Sequence, residues 1–114
     1  MISGLSSSLA GLAAFGKKLS NAADNIANSN TSGYKKTTSV ITEDAAGLPD
    51  VHLTRSAAPG ALIQESDGTT TEQSNVDLAE ELTQTIVAQR GYEANLKALK
   101  AQSDTLGSLL DVFV

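Results

Sequence analysis

The sequence predicts a mainly α-helical protein: long N- and C-terminal helices pairing as an antiparallel coiled coil, with a short β-rich or irregular insert between them. Three observations carry this. Apolar residues recur at alternating spacings of three and four over both ends of the chain. Residues 37–73 lose that period and hold both prolines. The chain has 114 residues, four aromatic rings and no cysteine, which bounds it to one domain with a thin core. Assembly with other chains would add the stability that such a core lacks.

In the first segment, residues 1–36, the stripe runs Ile2, Leu5, Leu9, Leu12, Gly16, Leu19, Ala23 and Ile26. That is a heptad seam, and the helix is expected from about Ser3 to about Asn28. Ala10, Gly11, Ala13, Ala14 and Ala22 lie beside the seam, where small side chains let another backbone approach closely. The helix then meets Asn25, Asn28, Asn30, Thr31 and Gly33, which use helix interiors poorly. A helix C-terminus explains Asn30 and Gly33, because Asn tolerates the left-handed conformation and Gly supplies the turn. It does not require Asn25 and Asn28 inside the helix, nor Tyr34 just past its end. Three amides close together offer donors and acceptors to a neighbouring chain.

The insert, residues 37–73, holds three runs that read as extended: Thr37–Thr42, Asp50–Arg55 and Ala61–Glu65. Ala46-Gly47-Leu48-Pro49, Pro59-Gly60 and Asp67-Gly68 separate them as turns. A small β-hairpin or irregular loop is expected, with little core of its own.

In the last segment, residues 74–114, a second heptad stripe passes through Leu78, Leu82, Thr85, Gln89, Tyr92, Leu96, Leu99, Ser103, Leu106, Leu110 and Phe113. Ile86 and Val87 widen it. The helix should run from about Val76 to about Leu110. Ser74 or Asn75 is placed to cap it, and Asp77, Glu80 and Glu81 sit near the positive end of its dipole. Glu93 and Lys97 stand one turn apart as an ion pair. Gln89 and Ser103 are polar interruptions that would fix register or partner choice if they lie in the seam. Tyr92 and Phe113 read as core. The expected interhelical contact is Ile2, Leu5, Leu9, Leu12, Leu19 and Ile26 against Leu82, Ile86, Leu96, Leu99, Leu106 and Leu110.

Net charge is −5, divided as +3 in the first segment, −5 in the insert and −3 in the last. The opposite signs favour pairing of the two ends, weakly, through exposed charges. No basic face of useful size exists, so no nucleic-acid partner is expected. Leu9 to Gly16, the longest uncharged small-apolar run, is far short of a membrane helix, and no membrane insertion is expected. The N-terminus makes a poor cleaved signal peptide, since no Lys or Arg precedes its apolar stretch.

Catalytic signals are weak. Gly11 to Lys18 nearly matches a phosphate-binding loop, but Lys18 stands where Ser or Thr should hold magnesium, and the stretch lies within a heptad helix. His52 is the single histidine and has no cysteine or second histidine to share a metal. No nucleophile with a positioned base emerges. The sequence therefore predicts neither an enzyme nor a cofactor.

Two motifs resemble a known family. Asn25-Ile26-Ala27-Asn28-x-Asn30-Thr31-x-Gly33-Tyr34-Lys35 is similar to the N-terminal signature of bacterial flagellar rod and hook proteins. Ser74-Asn75-Val76-Asp77, with Glu80-Glu81-Leu82 and Ala88-Gln89-Arg90-x-Tyr92-Glu93-Ala94-Asn95, resembles the C-terminal helix of that family. The resemblance implies an assembly role for these motif residues. It implies a structural subunit whose terminal helices pack around the axis of a polymer spanning the periplasm in the flagellar basal body. Its partners would be copies of itself and other rod or hook proteins. It also implies export through the flagellar type III apparatus without a cleaved signal peptide. The insert resembles no particular member. The alternative is a soluble adaptor or assembly factor that binds axial proteins.

Overall fold

The computed structural model describes residues 2–112, with only the backbone of Ile2. Phe113 lies outside the described residues. Six elements follow one another: α1 (Ile2–Ala27), β1 (Thr37–Glu43), β2 (Pro49–Arg55), β3 (Leu62–Gln64), β4 (Thr70–Glu72) and α2 (Leu78–Val112). The molecule is a rod of 79 × 25 × 15 Å. At about 1.5 Å per residue, the 35-residue α2 supplies some two-thirds of that length.

α1 ends where its backbone tightens. The Asn28 amide is shared between the carbonyls of Asp24 and Asn25, both at 3.2 Å, and the Ser29 amide donates to Ile26 at 3.2 Å. Gly33 then takes φ +71°, which side-chain-bearing residues rarely adopt. α2 begins at an Asp77 cap, not at Ser74 or Asn75 as the sequence suggested. Asp77 Oδ1 accepts from Ala79 N at 2.9 Å and Glu80 N at 3.3 Å. Ser74 Oγ instead accepts from Val76 N at 3.2 Å, closing the turn before the helix.

The helices pack antiparallel. Gly4 of α1 faces Gln102 of α2, Gly11 faces Asn95, and Phe15 lies over Gly91. Seven steps forward on α1, from 4 to 11, are thus seven steps back on α2, from 102 to 95. Gln102 Nε2 donates to Ser8 Oγ at 3.3 Å at the same end.

This contact corrects the expected seam. On both helices the packed face lies one residue N-terminal of the leucine stripe. On α1 it is Ser8, Gly11, Ala14, Ala22 and Asn25, and on α2 it is Glu81, Ala88, Gly91 and Asn95. Ala14, Ala22 and Ala88 are the buried apolar side chains of the described residues. Leu9, Leu82, Ile86, Leu96, Leu106 and Leu110 were expected in the seam, and all are exposed, Leu110 at 68%. Leu5, Leu12, Leu19, Ile26 and Leu99 are half-buried at its edges. Gln89 and Ser103 face solvent, and so does Tyr92. The physical reason lies partly in the amides. Asn21 and Asn25 must reach the start of β1, and that fixes the rotation of α1 about its axis. Glycines then face larger side chains across the contact, Gly4 against Gln102, Gly11 against Asn95 and Gly91 against Phe15.

The insert forms two antiparallel hairpins. β1 pairs β2 with Thr37 opposite Arg55 and Glu43 opposite Pro49, and β3 pairs β4 with Leu62 opposite Glu72. β4 was not foreseen, because Thr70–Glu72 is short and carries no apolar residue. Each turn relies on one acidic side chain and one left-handed glycine. Asp44 Oδ1 accepts from Ala46 N and Leu48 N beside Gly47, and Asp67 Oδ1 accepts from Thr69 N beside Gly68. Pro49 opens β2, where the missing amide is tolerated.

Candidate functional site

The motif residues gather where α1 ends, β1 begins and α2 starts. Asn25 is fully buried at the centre. Its Nδ2 donates to the Thr37 carbonyl at 2.8 Å, and its Oδ1 accepts from Thr37 N at 3.0 Å and from the Tyr34 hydroxyl at 3.1 Å. The amide thus pairs with both backbone groups of Thr37 as a neighbouring strand would. Asn21 Nδ2 adds a second bond to the Thr37 carbonyl at 2.6 Å.

Asn75 repeats the device from the other motif. Its Oδ1 accepts from Lys36 N at 2.7 Å, while Nδ2 donates to the Ala58 carbonyl at 2.8 Å and Ser56 Oγ at 3.2 Å. Its own amide donates to the Tyr34 carbonyl at 3.3 Å. One buried and one half-buried asparagine therefore tie the exit of α1, the insert and the entry of α2 together.

Asn28 and Thr31 have a local role. Asn28 Nδ2 donates to the Asp24 carbonyl at 2.9 Å, and Thr31 Oγ1 donates to Asn28 Oδ1 at 3.2 Å. Gly33 N donates to the Glu72 carbonyl at 2.8 Å, joining the turn to β4. Ile26 and Val76 are half-buried, and Ala27 and Asn30 are exposed. Of the predicted cluster, then, Asn25, Tyr34 and Asn75 converge, Asn28 and Thr31 close a turn, and Asn30 points to solvent.

Three ion pairs surround the junction. Lys35 Nζ meets Glu72 Oε1 and also donates to the Ala58 carbonyl at 3.0 Å. Lys36 meets Glu80 at 2.6 Å, and Lys17 meets Asp50 at 3.0 Å. Only Lys36–Glu80 joins the basic first segment to the acidic last one. The other two bind that first segment to the insert. The hydrogen bond from Lys35 holds the Glu72 carboxyl below the usual carboxylate range, helped by the Gly60 amide. Asp50 is lowered likewise, chiefly by Lys17.

The second part of the site lies along α2. Gln89 donates to Glu93 at 3.0 Å, taking the place expected for Lys97, and both are exposed. Arg90 is exposed too. Asn95 turns inward against Gly11, with Nδ2 on the Gly91 carbonyl at 2.9 Å. His52 is exposed on β2, and Gly11 to Lys18 is continuous helix. Among the described residues, no group of three or more His, Cys, Asp or Glu is placed to hold a metal, and no helix is long and apolar enough to cross a membrane.

The roles of Asn21 and Thr37, and the burial of Glu81, escaped the sequence reading. Asn21 carried a signal, because it stands one helical turn before Asn25 and so shares its face. Thr37 acts through its backbone, and Glu81 through its position in the packed face, neither of which a side-chain pattern reveals.

The comparisons with known proteins meet this geometry at both ends. Residues 5–35 match the family model described as flagella basal body rod protein, and residues 68–112 match flagellar basal body rod FlgEFG protein C-terminal. The flagellar hook protein FlgE of Helicobacter pylori is 47% identical over 45 residues, which are 40% of this chain and 6% of that protein. FlgE of Escherichia coli is 46% identical over 41 residues, 36% of this chain and 10% of the hook protein. The matched stretch thus spans a tenth or less of these relatives. Two models of one family, matched in order at the two ends and meeting in the Asn25–Asn75 junction, place this chain in the flagellar basal body rod and hook protein family.

Proposed function

We propose that this chain is a structural subunit of the bacterial flagellar rod and hook axial structure, and that it assembles through its terminal helices, paired as a coiled coil. Its partners are copies of itself and other rod or hook proteins. It reaches the periplasm-spanning axis through the flagellar export apparatus, without a cleaved signal peptide, and it performs no catalysis. The observation that carries this reading is the inverted helix pair. Glycine, alanine and amides lie inside, while Leu9, Leu82, Ile86, Leu96, Leu106 and Leu110 lie outside. From Leu82 to Leu110 that exposed stripe runs about 42 Å along α2. Each such side chain contributes roughly 1.5–3 kcal/mol once buried. A stripe of this length on a protein surface marks an interaction site.

The test is mass spectrometry of purified hook–basal bodies, with this chain quantified against a hook subunit. A stable ratio that survives washing supports the structural role. Absence from the particle in cells that express the chain overturns it in favour of a soluble adaptor.

A further inference from the structure

The register of the helix pair leaves part of α2 alone. Gly4 faces Gln102 and Gly11 faces Asn95, so Ile2 stands level with Asp104. From Thr105 onward α2 has no helix beside it among the described residues. Leu106 and Leu110 lie on that overhang, 38% and 68% exposed. They are the far end of the stripe that α2 turns away from α1. The stripe of α1 is also open, with Leu9 exposed and nothing within 4 Å of a β-carbon built on Gly16.

We infer that the stripe of α1 in a second copy covers the stripe of α2, antiparallel, with Leu9 of one copy on Leu106 of the other. The inference rests on the assembly reading above and adds the occupant and its register. Spacing is the first ground. From Leu5 forward to Ile26 the α1 stripe advances by 4, 3, 4, 3, 4 and 3 residues, and from Leu110 back to Gln89 the α2 stripe steps identically. Leu5 then meets Leu110, Leu9 meets Leu106 and Leu19 meets Leu96. Size is the second. Gly16 falls on Leu99 and Ala23 on Tyr92, so α1 is small where α2 is bulky. Polarity is the third. From Leu5 to Ile26 the α1 stripe carries no polar side chain, whereas a second α2 would bring Gln89 and Ser103. Direction is the fourth. Copies that point one way along an axis set α1 of one antiparallel to α2 of the next, as inside the chain. Two α2 helices in antiparallel contact would form a two-fold interface, which closes a dimer and stops growth. A register one heptad back, with Leu9 on Leu99, brings the copies nearly level and leaves Leu110 bare.

The chain has no native cysteine, which makes the test direct. Two differently tagged copies are co-expressed, one carrying Leu9→Cys and the other Leu106→Cys, and hook–basal bodies are isolated and oxidised. A disulfide-linked species bearing both tags is expected, and it should be lost when Leu99→Cys replaces Leu106→Cys. Within one chain Leu9 stands level with Lys97, so Leu106 lies about 14 Å further along the axis, beyond the roughly 7 Å that a disulfide spans. If either variant fails to enter the particle, Leu5→Cys with Leu110→Cys reads the same register. In parallel, Gly16→Glu enters open space in the single chain and should leave it folded by circular dichroism. In the assembly its carboxylate would be buried unpaired against Leu99 of the neighbour, and incorporation should fall about tenfold or more. Particles that hold both tagged copies without the doubly tagged species overturn the contact, whatever Gly16→Glu does. A doubly tagged species through positions 9 and 99 overturns the stated register. Incorporation of Gly16→Glu at the level of the unsubstituted chain overturns burial of the α1 stripe while the assembly reading stands. Absence of the unsubstituted chain from the particle removes the assembly reading and this contact with it.

Discussion

Phe15 of α1 lies so closely over Gly91 of α2 that a β-carbon at position 91 would stand 2.3 Å from the ring. Gly11 repeats the arrangement in reverse, with a built β-carbon 2.4 Å from Asn95 Oδ1. Each helix therefore presents a glycine to a larger side chain of the other, and these two contacts set the register of the pair.

Gly91→Ala tests that register. Alanine favours helix by about 1 kcal/mol over glycine, but overpacking costs about 1–3 kcal/mol. The expected result is a net loss of stability in thermal denaturation followed by circular dichroism. Gly107→Ala, where nothing lies within 4 Å, should give a net gain of up to about 1 kcal/mol.

Asn25→Ala removes three hydrogen bonds and leaves the Thr37 amide without a partner. A buried donor left unsatisfied costs about 1–3 kcal/mol. Asn25→Asp keeps the shape and both acceptor contacts, yet loses the donor to the Thr37 carbonyl. Both substitutions should lower the melting temperature. Amide exchange at Thr37 should quicken in Asn25→Ala, while the end of α2 distant from the junction keeps its protection.

The depressed Glu72 and Asp50 carboxyls make stability pH-dependent. A carboxyl whose folded value lies below its unfolded one stabilises the fold above the unfolded value. That contribution fades as pH falls through the ordinary carboxylate range toward the depressed folded values. Melting temperature should therefore decline over this acidic window, and Glu72→Gln should flatten the slope. An unchanged slope in Glu72→Gln would show that the contact with Lys35 does not persist in solution.

Ile86→Glu separates folding from assembly. Ile86 is 54% exposed, and exposed substitutions away from special contacts change stability by at most about 0.5 kcal/mol. Circular dichroism should barely register the change, whereas incorporation into hook–basal bodies should fall at least tenfold. Equal incorporation would mean that the outer stripe is not an assembly surface.

Gly60→Ala addresses the insert. A β-carbon at position 60 would stand 1.9 Å from the Gln73 carbonyl oxygen, so backbone must move. The Gly60 amide would then leave Glu72, and the Gln73 bond to the Ala61 carbonyl would weaken. Faster exchange at the Gln73 amide, with α1 and α2 unaffected, is the expected signature.

Much of this molecule was written in local pattern. Two helices, their lengths to within two residues at each end, and the turns at Gly47 and Gly68 follow from periodicity and from residue types with strong backbone preferences, while the two family motifs were legible only as a resemblance. What periodicity could not state was which face meets which. A heptad of leucines marks a surface that wants burial, but it does not say whether the partner is the other helix or another chain. The tertiary structure decided that through Asn21 and Asn25. Their amides must satisfy the backbone of Thr37, which turns the glycine and alanine face inward and leaves the leucines outside. Hydrogen-bond satisfaction at one junction thus outranked apolar burial along the whole pair, because the outer stripe remains available for burial elsewhere while a buried amide without a partner does not.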